Sequence, residues 1–176
     1  YIAAHTKRAK LGAMVTGVIY REPSFLIKQV NTLDVLSGGR AIFGVGAAWY
    51  EREARGLGFR FPPLRERFAM LEDTLKLAKH MWADNRAPFD GEIYNLPEPI
   101  MSPAPLSKPH PPILVGGGGE KKTLRLVAKY ADACNVFAHS GVEMVAHKFD
   151  VLRKHCEDVG RNYNEIERTV MAWYDY

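Results

Sequence analysis

The chain has 176 residues, enough for one domain with its own hydrophobic core. Its 47% hydrophobic and 25% charged residues are typical of globular proteins, and no run approaches the ~20 apolar residues of a membrane span. The net charge of +4 is dispersed, without the basic stripe and interleaved aromatics of a nucleic-acid-binding surface. We therefore expect neither membrane nor nucleic acid as a partner.

The chain opens on Tyr1, in what reads as the end of a helix, so we expect that an N-terminal portion is missing. The first residues show no charged, apolar and small-residue pattern, so we do not expect a signal peptide in them. Cys134 and Cys156 form no metal-binding pattern, and no metal site is predicted. Two such cysteines favour a reducing, cytoplasmic compartment. Cys156 continues an apolar helical series, so we expect a core thiol rather than a catalytic one.

The first half of the chain alternates predicted strands and helices. Residues 10–19 and 40–49 are apolar runs, as in strands that are covered on both faces. Between them Pro23 opens a helix that Gly38 and Gly39 end. The predicted buried stripe of this helix consists of Leu26, Val30, Leu33 and Leu36.

A long helical region follows, interrupted around residues 56–63, and apolar residues recur at helical spacing over residues 65–82. Residues 84–112 then break the alternation. Asp90 and Gly91 predict a hairpin, and seven of the chain's eleven prolines lie beyond it. Proline cannot join a sheet interior, so we expect an ordered insertion, or lid, over the surface.

The second half resumes the alternation. Strand, glycine turn, helix, strand, helix and strand are predicted over residues 112–115, 116–119, 121–131, 132–139, 141–160 and 168–176. This order is typical of an α/β protein with a parallel sheet. Periodicity alone leaves open whether that sheet is doubly wound or closed into a barrel.

Both kinds of parallel sheet bind ligands at the carboxyl ends of the strands. The rule selects residues 15–17, 46–49, 116–120 and 137–140 and the segment after Ala172.

One selected segment, GVGAAW, contains Gly44 and Gly46 and superficially resembles a dinucleotide fingerprint. Trp49 replaces the third glycine of that fingerprint and no suitable acidic residue follows, so we reject the Rossmann interpretation. Glycines chosen for close packing, where the strand bends into its loop, are the alternative.

The segment GGGGEKKT predicts a phosphate site. Its glycines are Gly116, Gly117, Gly118 and Gly119, and we expect the following helix to begin near Glu120 or Lys121. Backbone N–H groups ahead of a helix N-terminus suit a phosphate. The loop lacks the Gly-Lys-Ser/Thr ending of nucleotide triphosphatases, so that hydrolysis is not expected. A flexible turn is the alternative.

Few side chains at these strand ends are candidates for catalysis or substrate binding. His139 follows a predicted strand and is a candidate substrate contact or acid/base, whereas the other histidines have structural explanations. Asp34 and Asp132 lie at helix ends or turns, where structural roles are expected.

Several ordered motifs, from LGAMVTGVIYREPSFLIKQV and RERFAMLEDTLKLAKHMW to FDGEIY and PPILVGGGGEKKTLRLVAKYADACN, resemble the bacterial luciferase-like monooxygenase superfamily. The closer resemblance is to its deazaflavin-using branch, the oxidoreductases dependent on coenzyme F-420. It implies that residues 1–176 form one partial (β/α)8 TIM-barrel domain, with residues 84–112 as the insertion over its mouth. Family members have two further strands before this region and one after it, so five strands would not close the barrel. We expect a partner or a homo-oligomer to cover the exposed sheet edges.

The resemblance also implies site residues. A non-proline cis peptide would fall at Met14–Val15 and support the face of the cofactor ring. The cofactor-binding residues would be Met14, Val15, Thr16, Gly46 and Ala47, with the cofactor phosphate on the loop of Gly116 to Gly119. Trp49 would face the substrate. Sugar-phosphate dehydrogenases of this branch carry a catalytic glutamate where Trp49 stands, so we do not expect that activity.

The family resemblance and the missing strands leave three possible functions. The first is hydride transfer between coenzyme F-420 and a small organic substrate. The second is an FMN-dependent monooxygenase that works with a separate reductase. The third is a non-catalytic, truncated barrel fragment that binds phosphate or a partner chain.

Overall fold

The computed structural model describes residues 1–139 and 141–172. Ser140, and the part of the predicted last strand that follows Ala172, lie outside the described residues. The chain divides into two compact units, Tyr1–Pro112 and Ile113–Tyr176. Among the described residues, no helix combines the length and apolar character that crossing a membrane requires.

The first unit pairs two parallel strands and carries most of the helices. Its elements are α1 (Ile2–His5), β1 (Thr16–Gly17), α2 (Pro23–Ser37), β2 (Phe43–Gly46), α3 (Glu51–Gly56), α4 (Leu64–Trp82), β3 (Phe89–Asp90) and β4 (Asn95–Leu96). Thr16 pairs with Val45 and Gly17 with Gly46 in the parallel ladder of β1 and β2.

The first strand is much shorter than the predicted residues 10–19. Besides β1, the pairing of this run with other described residues consists of one isolated bridge between Leu11 and Ala41. The backbone at Ala13 passes so close to β2 that a Cβ on Gly44 would lie 2.0 Å from the Ala13 carbonyl oxygen. Most of this run therefore lacks regular parallel pairing with β2. This is an effect of close packing, which hydrophobic periodicity does not predict.

Helix α2 has the predicted boundaries but not the predicted buried face. Pro23 occupies its first position, and Gly38 ends it in the left-handed conformation, with φ of 72°. Leu26 is buried, but Leu36 is 76% exposed, so the prediction that it is buried is wrong. The face also buries Ile27, Asn31, Asp34 and Ser37, while Val30 and Leu33 are half-buried.

The polar residues on that face hold the proline-rich segment. The Asp34 carboxylate accepts hydrogen bonds from the backbone N–H groups of Leu106 at 2.8 Å and Ser107 at 2.9 Å, and from the Ser107 hydroxyl at 2.6 Å. The Asn31 amide donates to the Pro103 carbonyl at 2.9 Å. The segment is thus fixed to α2 by buried polar groups, as an ordered insertion requires, and the structural role expected for Asp34 is confirmed.

Helix α4 and the predicted hairpin also agree with the sequence. The α4 positions Leu71, Leu75, Ala78 and Met81 are buried. Strands β3 and β4 pair antiparallel on either side of residues 91–94, where the Gly91 N–H donates to the Tyr94 carbonyl at 2.9 Å. Buried Asp73 of α4 accepts the N–H groups of Ile93 at 2.7 Å and Tyr94 at 3.2 Å, which ties the hairpin to the helix.

The second unit is a parallel sheet with two helices. Its elements are β5 (Ile113–Gly116), α5 (Thr123–Tyr130), β6 (Ala133–Phe137), α6 (Val142–Val159) and β7 (Glu167–Met171). Strand β6 pairs parallel with both β5 and β7. Asp132 accepts the Ile113 N–H at 2.8 Å, which confirms its structural role.

Helix α5 begins later than predicted, at Thr123 rather than near Glu120 or Lys121. Residues 120–122 form a turn instead. The Glu120 carbonyl is bound by the His155 ring at 2.8 Å, and the Leu124 N–H donates to the Gly119 carbonyl at 3.0 Å. These contacts stabilise the turn, so that residues 120–122 do not join the helix. The His155 contact comes from α6, which is distant in sequence, so the local pattern does not predict it.

Both cysteines lie in the core of the second unit, as free thiols. Cys156 is fully buried, which confirms the prediction of a core thiol. Burial raises the pKa of the Cys134 thiol to about 11 and raises the pKa of the Cys156 thiol as well. Neither thiol has the lowered pKa of a nucleophile.

Candidate functional site

One group of predicted cofactor residues lies along β1 and at the end of β2: Met14 and Val15 directly precede β1, Thr16 begins it, and Gly46 is the last residue of β2. The peptide bond Met14–Val15 is cis, which confirms the bond that the family resemblance implied. Thr16 follows in β1, and Gly46 ends β2 beside Gly17. The structure therefore places these residues together on two paired strands. Their contacts with a cofactor remain predictions.

Close packing explains two glycines of this region. Gly44 has no room for a side chain, because of the Ala13 carbonyl described above. A Cβ on Gly17 would lie 3.0 Å from that of Ala48 and 3.1 Å from the Tyr20 ring. The packing interpretation of the G-x-G pattern is thus confirmed at Gly44.

The loop after β2 has an unusual backbone and an exposed aromatic pair. Ala48 has a positive φ of 62°, which is uncommon for a residue with a side chain. Trp49 is 81% exposed, and its ring stacks on that of Tyr50 with 5.1 Å between centroids. An open indole face at a strand's carboxyl end suits contact with an apolar or planar molecule.

Arg67 of α4 holds this loop, a role that no sequence pattern predicts. Its buried guanidinium donates to the carbonyl oxygens of Ala47 at 3.1 Å, Ala48 and Pro62 at 3.0 Å. It also lies 4.1 Å from the centroid of the Phe61 ring. Burial lowers the pKa of Arg67. Since nothing in a sequence separates a buried arginine from a solvated one, no local signal marks this residue.

The glycine loop, residues 116–119, forms the second group of predicted residues, at the end of β5. Gly117 has φ of 119°, a conformation that side chains disfavour, and its N–H donates to the Asn135 carbonyl at 2.9 Å. Within the described part of the chain, the N–H groups of Gly118, Gly119 and Glu120 donate to no protein acceptor. The loop therefore offers backbone donors ahead of α5.

Side chains from two helices line the glycine loop. A Cβ on Gly119 would lie 2.8 Å from the Thr123 hydroxyl, and one on Gly118 would lie 3.7 Å from the Lys148 Cε. Thr123, the first residue of α5, has a sequence signal, since it is a hydroxyl residue at the start of the helix that follows the glycines. Lys148 has none, because it reaches the loop from α6.

Glu120, at the edge of the glycine loop, contacts two basic side chains. Its carboxylate accepts from the Lys148 ammonium and lies 3.2 Å from the His147 Nε2. The hydrogen bond from Lys148 is the main cause that lowers the pKa of Glu120 below its usual range. The carboxylate is thus ionised at neutral pH, and it neutralises the ammonium.

His139 lies beyond β6, as predicted. It is exposed, and its ring centroid is 6.1 Å from that of Phe137. Its proposed role as a substrate contact or acid/base stays a prediction.

Each of the two groups, taken by itself, has features that suit one part of the flavin-like cofactor that the family resemblance implied. A side chain at Gly118 would fill the space beside Lys148, so the glycine leaves room and free N–H groups where a phosphate would lie. The strand ends at residues 14–16 and 46–47 supply backbone rather than bulky polar side chains, which suits the face of a planar ring.

A family model described as luciferase-like monooxygenase matches residues 1–173. An F-420-dependent glucose-6-phosphate dehydrogenase of Kineococcus radiotolerans is 32% identical over 172 residues, which cover 97% of this chain and 50% of that protein. An FMNH(2)-dependent dimethylsulfone monooxygenase of Pseudomonas putida is 30% identical over 116 residues, covering 66% of this chain and 31% of that protein.

Solved structures agree on the fold. The chain matches an F-420-dependent secondary alcohol dehydrogenase, determined with an F-420–acetone adduct, with a TM-score of 0.85 and 20% identity. The match covers 98% of this chain and 52% of that one, and this chain likewise spans about half the length of the Kineococcus relative. Together with the parallel strands and helices, this likeness establishes the α/β fold of the TIM-barrel type. The chain belongs to the luciferase-like monooxygenase family.

Proposed function

We propose that this chain is part of an F-420-dependent oxidoreductase that transfers hydride between the deazaflavin and a small organic substrate. The observation that carries the proposal is the glycine loop, where three N–H donors have no protein acceptor among the described residues and the Lys148 side chain lies alongside. Relatives named as F-420-dependent enzymes support the choice of cofactor. A deazaflavin has carbon in place of the reactive flavin nitrogen and supplies two-electron hydride chemistry.

Different residues of the chain would bind different parts of the cofactor. The glycine loop and Lys148 would hold the phosphate. The backbone at Met14–Val15, with Gly46 and Ala47, would support and orient the ring. Arg67 would fix the loop that carries Ala47, so that the ring face and the substrate side keep a constant geometry.

Trp49 narrows the substrate class. The family resemblance places it where sugar-phosphate dehydrogenases carry a catalytic glutamate, and an exposed indole binds apolar or planar groups better than a sugar phosphate. We therefore propose a substrate with an apolar portion, although several relatives are named as glucose-6-phosphate dehydrogenases. We further propose a cytoplasmic location, and a homo-oligomer or partner chain that covers the sheet edges.

An FMN-dependent monooxygenase is the second candidate, since one relative is named as an FMNH(2)-dependent enzyme. The third is a non-catalytic fragment that binds phosphate or a partner chain.

Turnover assays separate these candidates. The purified chain is incubated with oxidised F-420 and a panel of alcohols, with glucose 6-phosphate as the comparison, and loss of the oxidised deazaflavin absorbance is followed. We expect reduction with an apolar alcohol and none with glucose 6-phosphate. Oxygen consumption coupled to product formation with reduced FMN, and no F-420 turnover, would establish the monooxygenase instead. If neither cofactor supports turnover or binds, the third candidate stands.

A further inference from the structure

Lys148 of α6 lies along the glycine loop. A Cβ placed on Gly118 would be 3.7 Å from the Lys148 Cε, 3.9 Å from its Cδ and 4.0 Å from its Cγ. These are ordinary van der Waals distances, so the aliphatic stem covers the loop. The side chain is only 22% exposed. Helix α6 thus places the Lys148 side chain beside backbone N–H groups that have no acceptor among the described residues.

The charge of Lys148 is already neutralised by Glu120. The Lys148 ammonium donates to the Glu120 Oε1, and the His147 Nε2 lies 3.2 Å from the same oxygen. His155 binds the Glu120 carbonyl at 2.8 Å, which holds the backbone of this residue as well. The carboxylate is therefore fixed at the edge of the loop rather than free to swing away.

The charges have a consequence for any anion in the loop. Lys148 and Glu120 sum to zero, and the side chains of Lys121 and Lys122 are exposed, where solvent and salt screen them. The attraction left to the loop comes mainly from backbone N–H groups. Each further negative charge on the anion then meets the Glu120 carboxylate at close range.

We propose that Glu120 is a specificity-determining residue that selects a phosphodiester over a phosphomonoester at the glycine loop. A phosphodiester carries one negative charge, whereas a monoester carries about 1.5 to 2 at neutral pH. Coenzyme F-420 carries its phosphate as a diester and FMN carries a monoester. The inference rests on the proposed function, since it assumes that the loop holds the cofactor's phosphate.

Cofactor affinity in matched variants tests this inference. Dissociation constants of F-420, FMN and riboflavin are measured by fluorescence titration for the unmodified chain, Glu120→Gln and Glu157→Gln. Glu157 is an exposed residue on α6 and serves as the control. Glutamine keeps the size and hydrogen-bonding capacity of Glu120 but releases the Lys148 charge.

The gain in affinity should scale with the negative charge on the phosphate group of the ligand. We expect Glu120→Gln to bind FMN about tenfold and F-420 about threefold more tightly, with riboflavin and the control variant unchanged. Lys148→Met should weaken both phosphate-bearing cofactors, FMN more than F-420, and so tests the same charge pair through a second residue.

Two different results would contradict the inference, and they can be told apart. Equal changes for all three ligands, or no change in the ratio of FMN to F-420 affinity in either variant, would overturn the role of Glu120 while the proposed function stands. If the unmodified chain binds neither F-420 nor FMN, the proposed function fails and this inference fails with it.

Discussion

Asp34 illustrates how one buried carboxylate organises a segment without regular secondary structure. It is fully buried in α2, and it accepts two backbone N–H groups and one hydroxyl from residues 106–107. Because a carboxylate is the strongest acceptor available there, it satisfies backbone donors that a loop would otherwise have to leave to water. The insertion is therefore ordered by α2 rather than by its own sequence.

Replacing this carboxylate should be costly. We expect Asp34→Ala to lower the free energy of unfolding by about 2–4 kcal/mol, because three donors lose their acceptor. Asp34→Asn should lose less, since the amide oxygen still accepts. Urea unfolding measures both, with Asp150→Ala as the control, because Asp150 is exposed and its ion pair with Arg153 contributes little. Equal stability of Asp34→Ala and the control would contradict this role.

Cys134 makes stability depend on pH in the alkaline range. Its pKa rises from 9.0 to about 11 on folding because the thiolate is disfavoured in the core. Above pH 9 the unfolded chain loses the proton first, so the folded state binds more protons and stability falls as pH rises. The contribution is fully present below about pH 9 and lost by about pH 11.

Comparison with Cys134→Ala isolates this effect. Between pH 9 and pH 11 the unmodified chain should lose about 2 kcal/mol more of its free energy of unfolding than the variant, which has no thiol at this position. Urea unfolding at several pH values measures the two slopes. Parallel slopes would show that the Cys134 thiol has the same pKa in the folded and unfolded states.

At the scale of elements, two neighbouring glycines of the glycine loop have different reasons to lack a side chain. Gly117 has a positive φ, and Gly118 lies where we propose that the phosphate binds. Gly117→Ala should lower the free energy of unfolding by about 1–3 kcal/mol, because its φ of 119° disfavours any side chain. Gly118→Ala should change stability little, since its Cβ would make only ordinary contact with Lys148. The added methyl group would nevertheless occupy the proposed phosphate position and weaken cofactor binding.

Thermal unfolding and cofactor titration of both glycine variants separate these effects. A Gly118→Ala variant that binds cofactor as tightly as the unmodified chain would show that the loop does not approach the phosphate. A Gly117→Ala variant of unchanged stability would show that the positive φ is not required.

Elements whose boundaries depend on local chemistry follow from the sequence. Pro23 and Gly38 bound α2 as predicted, and the chain forms the predicted hairpin around Asp90 and Gly91, with Asp90 paired to Asn95 and residues 91–94 as the connection. Proline geometry, positive φ and turn preference act within a few residues, so these features can be predicted locally. The position of the glycine loop at the end of β5 also follows, since strand, turn and helix are consecutive.

Features that depend on tertiary contacts do not follow from the sequence. Leu36 is exposed although it continues an apolar stripe, because the face of α2 that is buried carries Asn31 and Asp34, which bind backbone groups from a distant segment. Lys148 lies 29 positions beyond Gly119, and only the packing of α6 brings it to the loop. Arg67 reaches the β2–α3 loop in the same way.

At the scale of the whole molecule, the family and the fold type are established, and the cofactor is the central proposal. A ligand that binds only the folded chain raises the free energy of unfolding by about 2.7 kcal/mol at a concentration of about 100 times its dissociation constant. F-420 should therefore raise the melting temperature, and riboflavin, which has no phosphate for the glycine loop, should raise it less.

The most direct measurement is equilibrium titration of the purified chain with F-420 and with FMN, followed by cofactor fluorescence. The proposed site predicts that F-420 binds with the lower dissociation constant. Tight binding of FMN with no binding of F-420 would contradict the assignment of the deazaflavin.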